Sequence, residues 1–225
     1  DGELLHSLGT AALRELDRFT IRDSAVLMMT FSQACPLDDR SRGVFSRVYR
    51  ARDRTAEREN MAAAVPIMVA LGNLTVWHPE VVMDLLQEDY GVVDAFAAAV
   101  PTCAIVHLAN GIQSLATLVA GGLLPASIGS RAVFRAASDR LCEDGGAKLP
   151  QSAIVQLAAG FTKLGGLGWQ DIFNRLLVDA TGLDLPSAVA VLHGLAGQNI
   201  RNVSWVEREI LDRLDEVKLR DSQTA

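Results

Sequence analysis

The sequence predicts an all-α chain, an α-solenoid of about five two-helix repeats of roughly 38 residues with essentially no sheet. Three observations carry that expectation. The chain resembles itself: AIVHLANGIQSL (104–115) and AIVQLAAGFTKL (153–164) share Ala, Ile, Val, Leu, Ala, Gly and Leu in register, 49 residues apart. Apolar residues recur at helical spacing, and no stretch alternates apolar and polar long enough to make a strand. Prolines stand where helices should begin. Pro101, Pro150 and Pro186 mark first helices, and Pro79 and Pro125 mark second helices, positions where a fixed φ and a missing N–H cost least.

The repeats divide a single domain, 1–225, into units of about 20–58, 59–98, 101–145, 150–183 and 186–220. In the first, SAVLMMTFSQAC (24–35) leads through the elbow CPLDD (35–39) to a second run centred on Phe45. In the second, Val65, Ile67, Leu71 and Leu74 of AAVPIMVALGNL (63–74) match Val155, Leu157, Phe161 and Leu164, and LTVWHP (74–79) leads to Met83. The third unit has about ten extra residues, including VAGGLLP (119–125), before its centre at Phe134. The fourth turns through Gly165, Gly166 and Gly168 to Phe173. The fifth, SAVAVLHGLAGQN (187–199), passes GQNIRNVS (197–204) to Ile210. The centres lie 38, 51, 39 and 37 residues apart, and the long interval coincides with the insertion. Ser204-Trp205-Val206-Glu207 has the spacing of a capping box. The run WVEREILDRLDEVKLRD (205–221) then places Trp205, Ile210, Leu214 and Val217 on one face, as expected of a terminal cap with a polar outer side.

The glycine cluster at 165–168 raises the alternative of a phosphate cradle. Such a loop needs GxxxxGK[ST], or GxGxxG between a strand and a helix, and the chain offers neither. EDGGAK (143–148) lacks the Ser or Thr and is expected to be a helix C-cap. The glycines are expected only to let the chain double back.

Composition narrows the function classes. The 225 residues are 49% hydrophobic, 21% charged and 5% aromatic, with net charge −6 and a pI near 5.2, which does not suit a general polyanion binder. Residues 1–60 hold ten Arg and ten acidic residues, 61–130 hold five acids and no Lys or Arg, and 131–225 hold eleven basic and twelve acidic residues. The middle third has no cation with which to grip a phosphate backbone. The uncharged stretch 95–130 is interrupted by Pro101, His107, Asn110, Gln113, Ser114 and Thr117, so it is expected to be a buried helix without membrane insertion.

Cys35, Cys103 and Cys142 show no CxxC spacing, which argues against a disulfide framework or a zinc site and for a reducing compartment. His6, His78, His107 and His193 form no HExxH, no serine lies in GxSxG, and the carboxylate pairs sit at helix ends. The sequence nominates no catalytic residue, no metal ligand, no cofactor and no small-molecule substrate, so a non-enzyme is expected. The chain begins at Asp1, the form expected of a processed product.

One constellation suggests a partner. In the aligned first helices, the two positions before the last template leucine are Gly72-Asn73, Gln113-Ser114 and Thr162-Lys163, with Gln198-Asn199 at a similar place in the fifth unit. Polar residues that change from unit to unit on a regular scaffold suit a reader of bases, one unit per nucleotide. The alternative is a solvated polar face. Asn73, Gln113, Ser114, Thr162, Lys163, Gln198, Asn199 and Arg201 therefore form the candidate RNA-binding set, with Arg40, Arg42, Arg175 and Arg208 as nearby cations. RVYRARDRTAER (47–58) is interleaved with Asp53 and Glu57 and is expected to be a salt-bridged solvent face.

The stretch AIVQLAAGFTKLGGLGWQDIFNRLL (153–177), with its weaker copies over most of the chain, resembles the heptatricopeptide and octotricopeptide repeats and the FAST-kinase-like helical region of organellar proteins. That resemblance implies a non-enzymatic subunit of an RNA-processing or ribosomal assembly in the mitochondrial matrix or another organelle stroma, not a secreted protein. Its implied partners are protein subunits of a larger complex, RNA, or both. A pure protein–protein scaffold, with the apolar middle third buried against a partner, is the competing expectation.

Overall fold

A computed structural model describes residues 2–34, 36–54, 56, 60–89, 91–125, 130–143, 149–164, 170–197, 199–200 and 203–212. It is all-helical, and no strand occurs among the described residues. In chain order the helices are α1 (Gly2–Arg14), α2 (Ile21–Gln33), α3 (Asp39–Ala51), α4 (Met61–Thr75), α5 (Pro79–Glu88) and α6 (Gly91–Ala99). A 3-10 turn (Val100–Thr102) leads to α7 (Ile105–Ala120), α8 (Ser130–Glu143), α9 (Gln151–Leu164), α10 (Gln170–Asp179) and α11 (Leu185–Gly197). The short α12 (Val203–Val206) runs on as a π-helical turn over Glu207–Leu211.

Local chemistry starts these helices where the sequence says it should. Thr20 and Asp23 form a reciprocal capping box at α2: the Asp23 amide donates to the Thr20 hydroxyl, and the Thr20 amide donates to the Asp23 carboxylate at 2.9 Å. Asp38 accepts the Ser41 amide at 2.8 Å ahead of α3, and Asp184 accepts the Ser187 amide at 2.9 Å ahead of α11. Pro79 opens α5.

The segments aligned as first helices fall in α2, α4, α7, α9 and α11, and each of these packs on the next. Behind that row, α3 packs on α5, α6 on α8, and α8 on α10, while α1 lies against α3. The core between the layers is built from Phe31, Phe45, Tyr49, Phe96, Phe161 and Phe173, all fully buried, each contributing about 1.5–3 kcal/mol from lost apolar exposure. Close approach within the row depends on small residues. A Cβ placed on Gly72 of α4 would sit 2.5 Å from Ser114 Cβ of α7, so no larger residue fits there without a shift.

The second layer is tied by charge. Arg50 makes a bidentate pair with Glu88, both contacts at 2.8 Å, and Arg42 reaches Glu80 at 3.3 Å, both from α3 to α5. These pairs are half exposed and contribute little. Arg52 differs, being buried, stacked 3.6 Å over the Tyr49 ring and paired with Asp89 at 2.6 Å, while the Tyr49 hydroxyl donates to the Asp89 carbonyl. A lone charge left there would be costly, so the knot ties the end of α3 to the end of α5. His78 does the same between corners: its Nε2 accepts the Leu37 amide at 2.9 Å.

Several expectations are corrected. Met83 is 42% exposed; Val82, Leu85 and Leu86 face the core instead, so the apolar stripe of that helix lies one position away. Residues 91–99 make a separate helix, α6, because Val92, Val93, Phe96 and Ala99 form a stripe that packs on both α4 and α8. The helix α1 precedes the first expected unit. Ser204 lies inside α12 and is not its cap. Pro66, unremarked in the sequence, sits inside α4. The Phe134 side chain, the elbow glycines 165, 166 and 168, residues 144–148 of EDGGAK, and Leu214 and Val217 lie outside the described residues.

Two predictions follow from this packing. Gly72→Ala, which must push into Ser114, destabilises the fold by about 1–3 kcal/mol, whereas Gly43→Ala, in open space on α3, stabilises it by about 0.5–1 kcal/mol; urea denaturation of the two variants reads the opposite signs. Hydrogen bonds from Ser41 hold the Asp38 carboxyl below the usual carboxylate range, and those from Ser187 do so for Asp184. Stability from a depressed carboxyl is present above its unfolded-state pKa and lost as pH falls through the folded one, so the melting temperature drops below about pH 4. Asp38→Asn with Asp184→Asn weakens that dependence while keeping the helices.

Candidate functional site

Charge is sorted between the two layers. The sequences of α4, α7 and α11 contain no Asp, Glu, Lys or Arg, α9 contains only Lys163, and α2 has only Arg22 and Asp23 in its first turn. By contrast α3, α5, α8 and α10 are dense in charge. The free edge of the first-helix row is therefore an almost uncharged surface.

That surface is not flat. A groove of about 710 Å³ opens between α2, α4 and α7. Val26, Met29, Thr30 and Gln33 form one wall, because the spacing i, i+3, i+4, i+7 puts them on one face of α2. Val65, Pro66 and Val69 of α4 make the floor, and Thr102, Cys103, Ala104, His107 and Asn110, at the start of α7, make the other wall. Pro66 has no amide hydrogen to give the Ala62 carbonyl one turn earlier, so the regular ladder of α4 is interrupted beneath the groove. Apolar lining with a few hydrogen-bonding side chains, in this volume range, is the character of a binding site.

The structure scatters the candidate RNA-binding set. Ser114 is only 7% exposed and packs against Gly72, so its hydroxyl belongs to the α4–α7 seam and is not available to a base. Asn73 is half-buried and donates to Ser32 of α2 at 3.4 Å. The Thr162 hydroxyl donates to the Ala158 carbonyl of its own helix at 2.7 Å and lies beside Gly194 and Gly197 of α11. Asn199 falls past the end of α11, in a turn with φ of 53°, which asparagine tolerates better than most residues. Gln198 and Arg201 lie outside the described residues. Gln113 of α7 and Lys163 of α9 alone among the set are exposed on the row's helices.

Three of the four neighbouring cations are already engaged. Arg42 pairs with Asp39 and Glu80, Arg175 with Asp179 at 2.8 Å and with the Leu141 carbonyl, and Arg208 with the buried Glu209. Glu209 in turn accepts the amide of Gly182, which has φ of 69°. Among the described residues no three His, Cys, Asp or Glu side chains come together as a metal-ligand set. No helix there is long and apolar enough to cross a membrane.

The groove side chains Thr30, Gln33, His107 and Asn110 were not singled out for binding by the sequence. The available signal was the missing charge in 61–130, which marks the helices but not the faces they leave open.

Burial pushes the Cys103 thiol above its usual range, with the nearby Arg140 only partly offsetting this. The thiolate is the reactive form. At neutral pH Cys103 should therefore alkylate with iodoacetamide far more slowly in the folded protein than in urea, with the folded rate climbing only at alkaline pH; peptide-resolved mass spectrometry measures both. No protein-family model matches this chain, and no curated protein or solved structure shows a significant similarity to it.

Proposed function

We propose that this chain is an α-solenoid of five two-helix repeats that serves as a non-enzymatic scaffold subunit, binding other polypeptides along the free edge of its first-helix row. The observation that carries this is the sorting of charge: the row of α2, α4, α7, α9 and α11 is nearly uncharged, while charge is concentrated on the helices behind it. A surface that binds RNA works chiefly through Lys and Arg, and its affinity falls steeply with salt. An apolar docking face works through buried area and needs no counterion. The order of packing within the row, each first helix on the next, supports the repeat architecture.

The resemblance to organellar helical repeats makes an RNA-processing or ribosomal assembly the proposed setting. Direct RNA contact is the second reading, favoured by the exposed Gln113 and Lys163 on neighbouring helices α7 and α9.

Washing the native, nuclease-treated complex with salt up to about 1 M, where exposed charges are screened within about 3 Å, tests the choice. Polypeptides retained through the wash and crosslinked to the exposed face of α4, α7 and α9 are the expected result. Loss of all partners on nuclease treatment would overturn the scaffold, and a Lys163→Glu variant that sheds RNA would put the second reading in its place.

A further inference from the structure

We infer that the groove between α2, α4 and α7 seats a short, uncharged, aliphatic peptide segment of a partner protein; the inference rests on the scaffold reading above and names what one part of that scaffold holds.

The electrostatics select the occupant first. None of the side chains lining the groove is an acid, a lysine or an arginine. A phosphate, carboxylate or ammonium entering it would give up hydration without meeting a counterion, which is costly in an apolar setting. A further copy of this chain presenting its α3, α5 or α8 face would bring charge and meet the same objection.

The polar groups then suggest a polypeptide backbone. Gln33 on the α2 wall and Asn110 on the α7 wall each carry a carboxamide that both donates and accepts, the complement of a peptide N–H and C=O. Thr30 and His107 stand beside them, one on each wall. The floor of Val65, Pro66 and Val69 offers aliphatic contact below. Val26, 60% exposed, and Val106, 44% exposed beside the α7 wall, leave apolar area uncovered at the rims. From Val26 to Gln33 the wall runs about 10 Å, at about 1.5 Å per helical residue. That accommodates roughly three residues of an extended strand at about 3.3 Å each.

Fluorescent hexapeptides with blocked termini, built from Val, Leu, Ala and Thr, are the probe, with matched peptides carrying Asp or Lys at alternate positions. Binding to the full chain is followed by anisotropy at low and high salt. The uncharged set should bind, insensitive to salt, and both charged sets should bind at least about tenfold more weakly. Val26→Asp should weaken binding by about tenfold, as should Gln33→Ala combined with Asn110→Ala. Val189→Asp, a similarly exposed valine on α11 away from the groove, should leave binding unchanged. Circular dichroism and melting show that each variant is folded.

Equal binding of charged peptides, loss of binding in Val189→Asp to the same degree, or no binding of any peptide would each overturn the assignment. So would a dimer that Val26→Asp converts to monomer, since a second copy would then be the occupant. If no peptide binds but the native complex keeps salt-resistant polypeptide partners, the groove assignment fails and the scaffold reading stands. If the native complex holds only RNA, the scaffold reading itself fails.

Discussion

The structure depends on one constraint: five helices in a row can touch only if the faces they turn to each other are small and uncharged. Gly72 against Ser114, Gly160 against Ile112 and Gly194 against Thr162 bring neighbouring backbones together at distances a larger side chain would prevent. Each interior helix of the row is flanked on two sides, and each also meets the second layer, α7 through Gly111 against Phe96 of α6. Three buried faces leave almost no place for a charge that could not be paired. The uncharged composition of α4, α7 and α11 is thus first a packing requirement. The chemistry of the free edge is a consequence of it.

The second layer meets a looser requirement. Apart from α6, whose one charge is Asp94, its helices carry the charge the row cannot. Most ion pairs there are half exposed and serve solubility more than stability. One exception is the knot of Tyr49, Arg52 and Asp89, where a buried guanidinium is stacked, paired and hydrogen-bonded at once. It joins the ends of α3 and α5, while the His78–Leu37 bond joins the two corners that precede those helices.

The same constraint shapes the proposed function. A face emptied of charge by packing cannot hold nucleic acid by counterion release, and it can bury apolar partner surface at little desolvation cost. The polar residues that remain on it, Lys163 apart, carry amides, hydroxyls and imidazoles. Such groups orient a ligand more than they attract one from a distance.

The sequence by itself determined the helices. Prolines at first turns and apolar spacing are local signals, each read within one or two turns of chain, and the segments read from them fall in α2, α4, α7, α9 and α11. The two like segments, 104–115 and 153–164, fall in the neighbouring helices α7 and α9. What only the tertiary structure decided was which way each polar residue faces. Gln113 and Ser114 are adjacent in sequence, yet one is exposed and the other is sealed against Gly72 from about forty residues earlier. The exposed Met83, the separate helix α6 and the groove itself share that origin. Burial is set by the neighbouring helix, and that neighbour is distant in the chain.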